Sequence, residues 1–492
     1  MTDPHGEIKR LADEEGVADG RHRPSATAGM TETPAERAAR GKAARAEVPR
    51  SSHADFEPSE HRPDPIGLLQ EQDQSRVPEL VPVRHGRMLA SSFAFFRGAA
   101  VIMASDLAST PASGLQVQLC GDAHLSNFAG FGSPERRLLF DINDFDETLP
   151  GPWEWDVKRL AASLTVAGRD NGYSDGERRR IALSAAGEYR TAMRTFAGMR
   201  NLDVWYSSMD LDATIRQVQA HLDPKQVKLL RKDVARARAR DSLQAFRKLT
   251  EHTKDGPRIA SRPPLVVPIE ELISGDVDRE RAVAQLVGVI HRYRGTLQTD
   301  RRHLLDQFRL IHLARKVVGV GSVGNQDWIA LLAGRDDRDP LLLQIKEAQG
   351  SVLERFLEPS VYANRGHRVV AGQRLMQATS DIFLGWHRVA GPDETQRDFY
   401  IRQLKDWKYS FEIGAMLPRG MAVYAQACAW TLARAHARSG DRIAIAAYLG
   451  KSDAFDRAVA DFAEFYADQN ERDYGALTDA VNDGRVEAET GV

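Results

Sequence analysis

Large apolar side chains are nearly absent from residues 1–52, where Ala, Arg, Glu, Thr and Pro dominate. Such a segment has little to bury against the entropy of ordering it and predicts a mostly disordered arm. Apolar content rises from Pro65, and residues 88–107 (MLASSFAFFRGAAVIMASDL) carry bulky side chains all round, the pattern of a buried helix, broken at Gly114. LQVQLC then reads as a short strand, and GSPE between FAGF and RRLLFDIND is a turn signal that predicts a hairpin. Helical periodicity opens at Asp156 (WDVKRLAASLTVAG) and continues to about Arg302 through ERRRIALSAAGEYRTAMRTFAGM, DATIRQVQAHL and PKQVKLLRKDVARARARDSLQAFRKL. Near Lys316 the pattern turns to β: KVVGVGSVG, WIALLAG, a turn at RDDRDP and LLLQIKEA predict a three-stranded meander. A helix over about 367–379, two strands (DIFLGWHRV and DFYIRQLK) and helices at 420–438 and 454–466 complete the pattern.

At 492 residues the chain is long enough for one bilobal unit or two to three domains. Its net charge of -2 gives no bulk attraction to nucleic acid or an anionic membrane, so any anionic ligand must be held locally. The basic run 231–240 is a solvated helix face. Cys120 and Cys428 are too few for a disulfide scaffold, which fits a reducing cytoplasm and excludes a CxxC zinc site. No apolar run approaches the roughly 20 residues of a membrane span, and MTDPHGEIKRLADEEG lacks a signal core. The expectation is a cytoplasmic protein without nucleic-acid or membrane partners.

The chemistry concentrates in two strings, QLCGDAHLSNF and FDINDFDE. Asp122 and Asn127 are five residues apart, the D-x-x-x-x-N spacing with which a kinase catalytic loop presents a base and a metal ligand to one cavity. Asp144 follows at the end of the predicted hairpin in Asp144-Phe145-Asp146, where a kinase carries D-F-G. Phosphoryl transfer needs a carboxylate to orient or deprotonate a hydroxyl and oxygen ligands for magnesium. The candidates are Asp122 and His124 as catalytic residues, and Asn127 and Asp144 as metal ligands. Asp156 opens the next helix; it either braces the catalytic loop or is a plain N-terminal carboxylate favoured by the helix dipole.

The glycines and lysine of a nucleotide lobe appear late. Gly319, Gly321 and Gly324 spell G-x-G-x-x-G, with Ser322 among them, and Lys346 in LLLQIKEA is placed like the lysine of a V-A-I-K strand. A dinucleotide fold would need a helix after the glycines, but 328–332 reads as a strand. A hydrolase elbow at Ser322 would need glycine where Val320 stands. The helix partner of Lys346 is Glu354, Gln373 or Gln377. Arg97 in FAFFRGAA either pairs with an acid such as Asp106 or contacts a ligand, and Arg84 and Arg87 are open to the same two readings.

G-D-x-H-x-x-N resembles the aminoglycoside phosphotransferase and choline kinase branch of the kinase-like superfamily, with Cys120 in place of its leading histidine. From about Arg50 the chain resembles the bacterial domain-of-unknown-function family 2252, through VPVRHGRMLASSFAFFRGAA, LQVQLCGDAHLSNFAGF, LLFDINDFDETLPGPWEWDVKRLAAS, VVGVGSVG and FYIRQLKDWK. The resulting expectation is a helix-rich α+β, bilobal protein-kinase-like fold, circularly permuted so that the catalytic lobe comes first. Its parts are an arm (1–52), a catalytic lobe with helical extension (53–305), a glycine-loop and lysine β lobe (306–408), C-terminal helices packing on the catalytic lobe (409–475) and a tail (476–492). The expected activity is ATP- and magnesium-dependent phosphotransfer to the hydroxyl of a small-molecule acceptor, whose pocket falls in the helical region 176–302. Nucleotidyl (AMP) transfer on the same fold and a nucleotide-binding regulatory module are the alternatives.

Overall fold

Helix formation begins inside the segment expected to be disordered. The computed structural model describes residues 32–218, 224–254, 256–272, 288–317, 319–336, 338–390, 395–404 and 407–491. Residues 1–31 of the arm, the QAHL end of one predicted helix, Val318, Asp337 and Lys405 lie outside these. Helix α1 (Pro34–Glu47) starts with Thr33 and Glu36 capping each other reciprocally, and Arg37 and Arg40 pair with Asp441, at 2.6 Å for Arg37. Docking and capping order this stretch; its own apolar content does not, which is why the composition misled.

The apolar stretch 88–107 forms two helices in place of the single one expected, α2 (Ser92–Gly98) and α3 (Ala100–Leu107), parted at Ala99 and started by the Ser91 cap. Strand β1 (Gln116–Leu119) leads into the loop 120–127, and the hairpin of β2 (Phe128–Gly132) and β3 (Leu138–Ile142) forms in the register Phe128↔Ile142. Strand β4 (Leu149–Pro152) returns to pair with β1 and runs into α4 (Trp153–Asp170), nearly all of which is buried. Helix α5 (Asp175–Ala197) packs beside it.

The β region is a six-stranded antiparallel sheet of β5 (Val266–Pro268), β6 (Arg309–Lys316), β7 (Trp328–Ala333), β8 (Pro340–Ala348), β9 (Gly385–Ala390) and β10 (Gln396–Gln403). Its spatial order is β9-β10-β8-β7-β6-β5. The expected meander is present as β6-β7-β8, but its first strand lies upstream of the glycines, which occupy the loop between β6 and β7. Helix α6 (Arg365–Met376) joins β8 to β9. Val289, Tyr293, Leu297 and Phe383 cover one face of the sheet, and Ala245 and Ile259 cover the other. The sheet unit therefore begins well before residue 306, and Ala245, Ile259, Tyr293 and Leu297 of the supposed acceptor region pack on it.

Helices α7 (Pro418–Ser439), α8 (Arg442–Leu449) and α9 (Ala454–Asn482) pack on α4 and α5. Residues 476–482 continue α9 where a tail was expected. Beyond them Val486 is buried, and the Glu489 amide donates to Pro82 O at 2.8 Å. The architecture is a helix-rich α+β fold with antiparallel sheets. Among the described residues no helix is long and apolar enough to cross a membrane.

Candidate active site

The loop after β1 is held from below. Asp156, on the first turn of α4 and 1% exposed, accepts the amides of Cys120 (2.8 Å) and Gly121 (3.0 Å) and meets His436 Nε2 at 3.1 Å. Of its two sequence readings, the brace is the one observed. Gly121 is required here: its φ is +83°, and a Cβ would stand 2.2 Å from Glu147 O.

Asp122 emerges from this braced turn. Its Oδ1 accepts from Arg159 Nε at 2.5 Å, while Oδ2 lies 3.5 Å from His124 Nε2. Burial pushes the Asp122 carboxyl up, against the pull of Arg159 and Arg97. Burial drives His124 well below the ordinary histidine value, and the same two arginines add to this, so the ring is neutral. His124 Nδ1 accepts the Ser126 amide at 3.2 Å, which assigns the proton to Nε2, the nitrogen facing Asp122. Asn127 Nδ2 donates to Asp122 O at 2.8 Å.

Arg159, the partner of Asp122, is a candidate-site residue that sequence reasoning missed. It sits three residues after Asp156 on α4, hence on the same helix face, and that i,i+3 spacing was the available signal.

Asp144 and Asp146 close the site from the end of the hairpin. The Asp144 carboxyl is pushed up by burial and by Asp146. In Asp146 burial works upward, but Lys346 prevails and holds it below the usual carboxylate range. Lys346 Nζ lies 2.5 Å from Asp146 Oδ2, and Tyr400 OH donates to Asp146 Oδ1 at 2.6 Å. The partner of Lys346 is thus Asp146 and none of the three helix candidates. Gln373 bonds Gln377, Gln377 bonds Ile142 O, and Glu354 stands 3.9 Å from Arg368. Arg368 on α6 donates to the carbonyls of Asp146 and Thr148, which fixes the acidic loop to the sheet unit.

One cavity of about 820 Å³ is lined by Asp122, His124, Asn127, Asp144 and Asp146 together with Gly319, Gly321 and Ser322. Two of the sequence candidates stand off its wall. Lys346 is buried behind Asp146, and Gly324 packs against Arg76. Gly324 has φ +92° and no room for a Cβ. The glycine loop is clasped from outside: Arg87 donates to Gly319 O at 2.6 Å, Val77 N donates to Gly324 O at 2.7 Å, and Arg76 bonds Val323 O. Arg84 is structural, pairing with Asp73 at 2.8 Å and donating to Gly98 O.

Asp327, just before β7, is 1% exposed, and its Oδ2 has no hydrogen-bond partner. Burial raises its carboxyl from 3.8 to about 7, although Lys346 opposes this. Between about pH 4 and pH 7 the folded chain keeps a proton here that the unfolded chain releases, so this group's contribution to stability falls as pH rises through that window. Asp327→Asn is therefore expected to melt higher than the wild type at pH 8, with the gap closing toward pH 4. Thermal melts at the two pH values check this, and equal midpoints at pH 8 would refute it.

The fold and this geometry define an α+β protein with a carboxylate- and arginine-lined cavity between a helical body and an antiparallel sheet. The chain belongs to the family described as "Uncharacterized protein conserved in bacteria (DUF2252)", which matches residues 76–480. No curated protein and no solved structure matches it.

Proposed function

We propose that the protein is a kinase-like phosphotransferase that moves the terminal phosphoryl group of ATP to the hydroxyl of a small-molecule acceptor. The observation that carries this reading is the single cavity in which Asp122, Asn127 and Asp144 from one end of the chain meet Gly319, Gly321 and Ser322 from the other. Two sequence strings about 200 residues apart, each chosen for its part in the same reaction, line one space.

Asp122 is the base. With Oδ1 occupied by Arg159, Oδ2 receives the acceptor's hydroxyl proton. The acceptor oxygen forms a bond to the terminal phosphorus as the bond from that phosphorus to the ADP oxygen breaks. The glycine loop supplies backbone amides to the phosphates, and Lys346 exchanges Asp146 for a phosphate oxygen.

Magnesium fits the donor set. Among the described residues no group of three His, Cys, Asp or Glu side chains forms a metal cluster, and one Asp with one Asn suits a hard cation that takes its remaining ligands from phosphates and water. Asn127 and Asp144 would hold the ion, which would neutralise charge on the phosphate oxygens.

The bilobal, circularly permuted reading belongs with this proposal. In the sheet, the glycine loop precedes the lysine strand by one strand, and a helix follows, the order in which a kinase small lobe presents these parts. The C-terminal end of α7 lies beside β1, where Gln118 N donates to Ser439 Oγ at 3.2 Å. Joining those two points would lead a helix directly into the catalytic loop.

The test is calorimetric titration with magnesium and ATP, followed by product analysis. Wild-type protein is expected to bind the nucleotide and release ADP, whereas pyrophosphate would indicate nucleotidyl transfer. Lys346→Met is expected to weaken binding by about tenfold, the loss of one charge-assisted contact. Absence of both binding and turnover in the wild type would refute the proposal.

A further inference from the structure

Arg97, at the end of α2, lies in the wall between two cavities. It lines the large one and a neighbouring one of about 310 Å³, and both also share Asn127 and Asp144. Its Nε is buried without a hydrogen-bond partner, and no carboxylate of the described residues pairs with it. Asp106, the partner suggested by the sequence, is taken by Arg62 at 2.6 Å and by Tyr466.

Five neighbouring arginines are committed elsewhere: Arg159 to Asp122, Arg76 and Arg87 to glycine-loop carbonyls, Arg368 to the acidic loop, and Arg402 to Asn143 O at 3.0 Å; Arg365, which also lines the large cavity, is exposed. The charge of Arg97 acts on both Asp122 and His124. Its own carbonyl lies 3.5 Å from where a side chain on Gly321 would begin, so the glycine loop passes directly over it. The residue therefore stands among the base, both metal-ligand candidates and the phosphate loop.

The geometry points to Arg97 as the group that recognises the terminal phosphoryl of the bound nucleotide and stays with it during transfer, an inference that rests on the phosphotransferase reading above. Asp122 attracts Arg97 without forming an ion pair with it; leaving a mostly buried guanidinium without a hydrogen-bonded anion is unfavourable, and a phosphate offers its fork two parallel acceptors. In phosphoryl transfer the charge spreads over the equatorial oxygens, where an arginine is effective. Arg97 takes no proton and forms no bond in the step. Nothing in the catalytic-loop or glycine-loop motifs announces it, because it is supplied by a helix outside both.

The experiment compares the affinities of ADP and of the non-hydrolysable βγ-imido analogue of ATP, each with magnesium, for wild-type, Arg97→Gln and Arg97→Lys protein. Wild type is expected to prefer the triphosphate by about tenfold. Arg97→Gln should erase that preference while ADP affinity stays unchanged. Arg97→Lys, which keeps the charge and loses the fork, should retain only part of it and decides the matter if the glutamine variant does not fold. An unchanged preference in the folded variants would overturn the role of Arg97 and leave the phosphotransferase reading standing. Failure of the wild type to bind either nucleotide would overturn both.

Discussion

Asp122→Asn is expected to lower phosphoryl transfer by about a thousandfold while ADP affinity stays within about twofold. General-base catalysis contributes on the order of a hundred to ten thousand in rate, and the asparagine keeps the shape of the side chain while losing its basicity. Three features of the carboxylate favour the proposed role. Arg159 fixes one oxygen at 2.5 Å, the neutral His124 adds no positive charge, and burial raises proton affinity toward working pH. ADP release under single-turnover conditions measures the effect. If Asp122→Asn turned over at the wild-type rate, the base assignment would fall. If wild-type protein bound nucleotide without turning it over, the regulatory-module alternative would take its place.

The second large effect concerns stability. Asp156→Ala is expected to destabilise the fold by about 3 kcal/mol or more, because it strands the amides of Cys120 and Gly121 in the interior and removes the carboxylate partner of His436. His436 is itself held by Tyr189 OH at 2.8 Å, so the loss propagates to the contact between α5 and α7. Asp156→Asn can still accept one amide and is expected to cost roughly half as much. Denaturant unfolding of the two variants compares them. Equal stability of the alanine variant and the wild type would show that the loop finds its support elsewhere.

How much of this was legible in the sequence varies with the range of the signal. Local patterns read well: the turn at GSPE, the second and third strands of the meander at Trp328–Ala333 and Pro340–Ala348, and the five-residue spacing of Asp122 and Asn127, which line one cavity. Boundaries set by distant contacts did not. Helix α1 is ordered by Asp441, some 400 residues away, and β5 joins a sheet whose other strands begin 40 residues later. The site divides in the same way. Asp122, His124, Asn127 and Asp144, from two neighbouring strings, line one cavity. Lys346 turned to Asp146 because the acidic loop, fixed by Arg368, offers a nearer anion than any side chain on α6. Motif spacing carries no information about which of several carboxylates a lysine will meet.

The clasp on the glycine loop has a consequence for how the protein is made. Arg76 and Arg87 leave the ribosome more than 230 residues ahead of the carbonyls they hold, and Asp141 and Asp156 precede Arg434 and His436 by 280 or more. A nascent chain that has completed the loop 120–127 still lacks the cations and the cradle that make burial of its carboxylates favourable. The N-terminal half of the candidate site therefore stays immature during most of synthesis, and a ribosome-bound fragment ending before residue 434 should resist proteolysis poorly despite containing the whole loop 120–127.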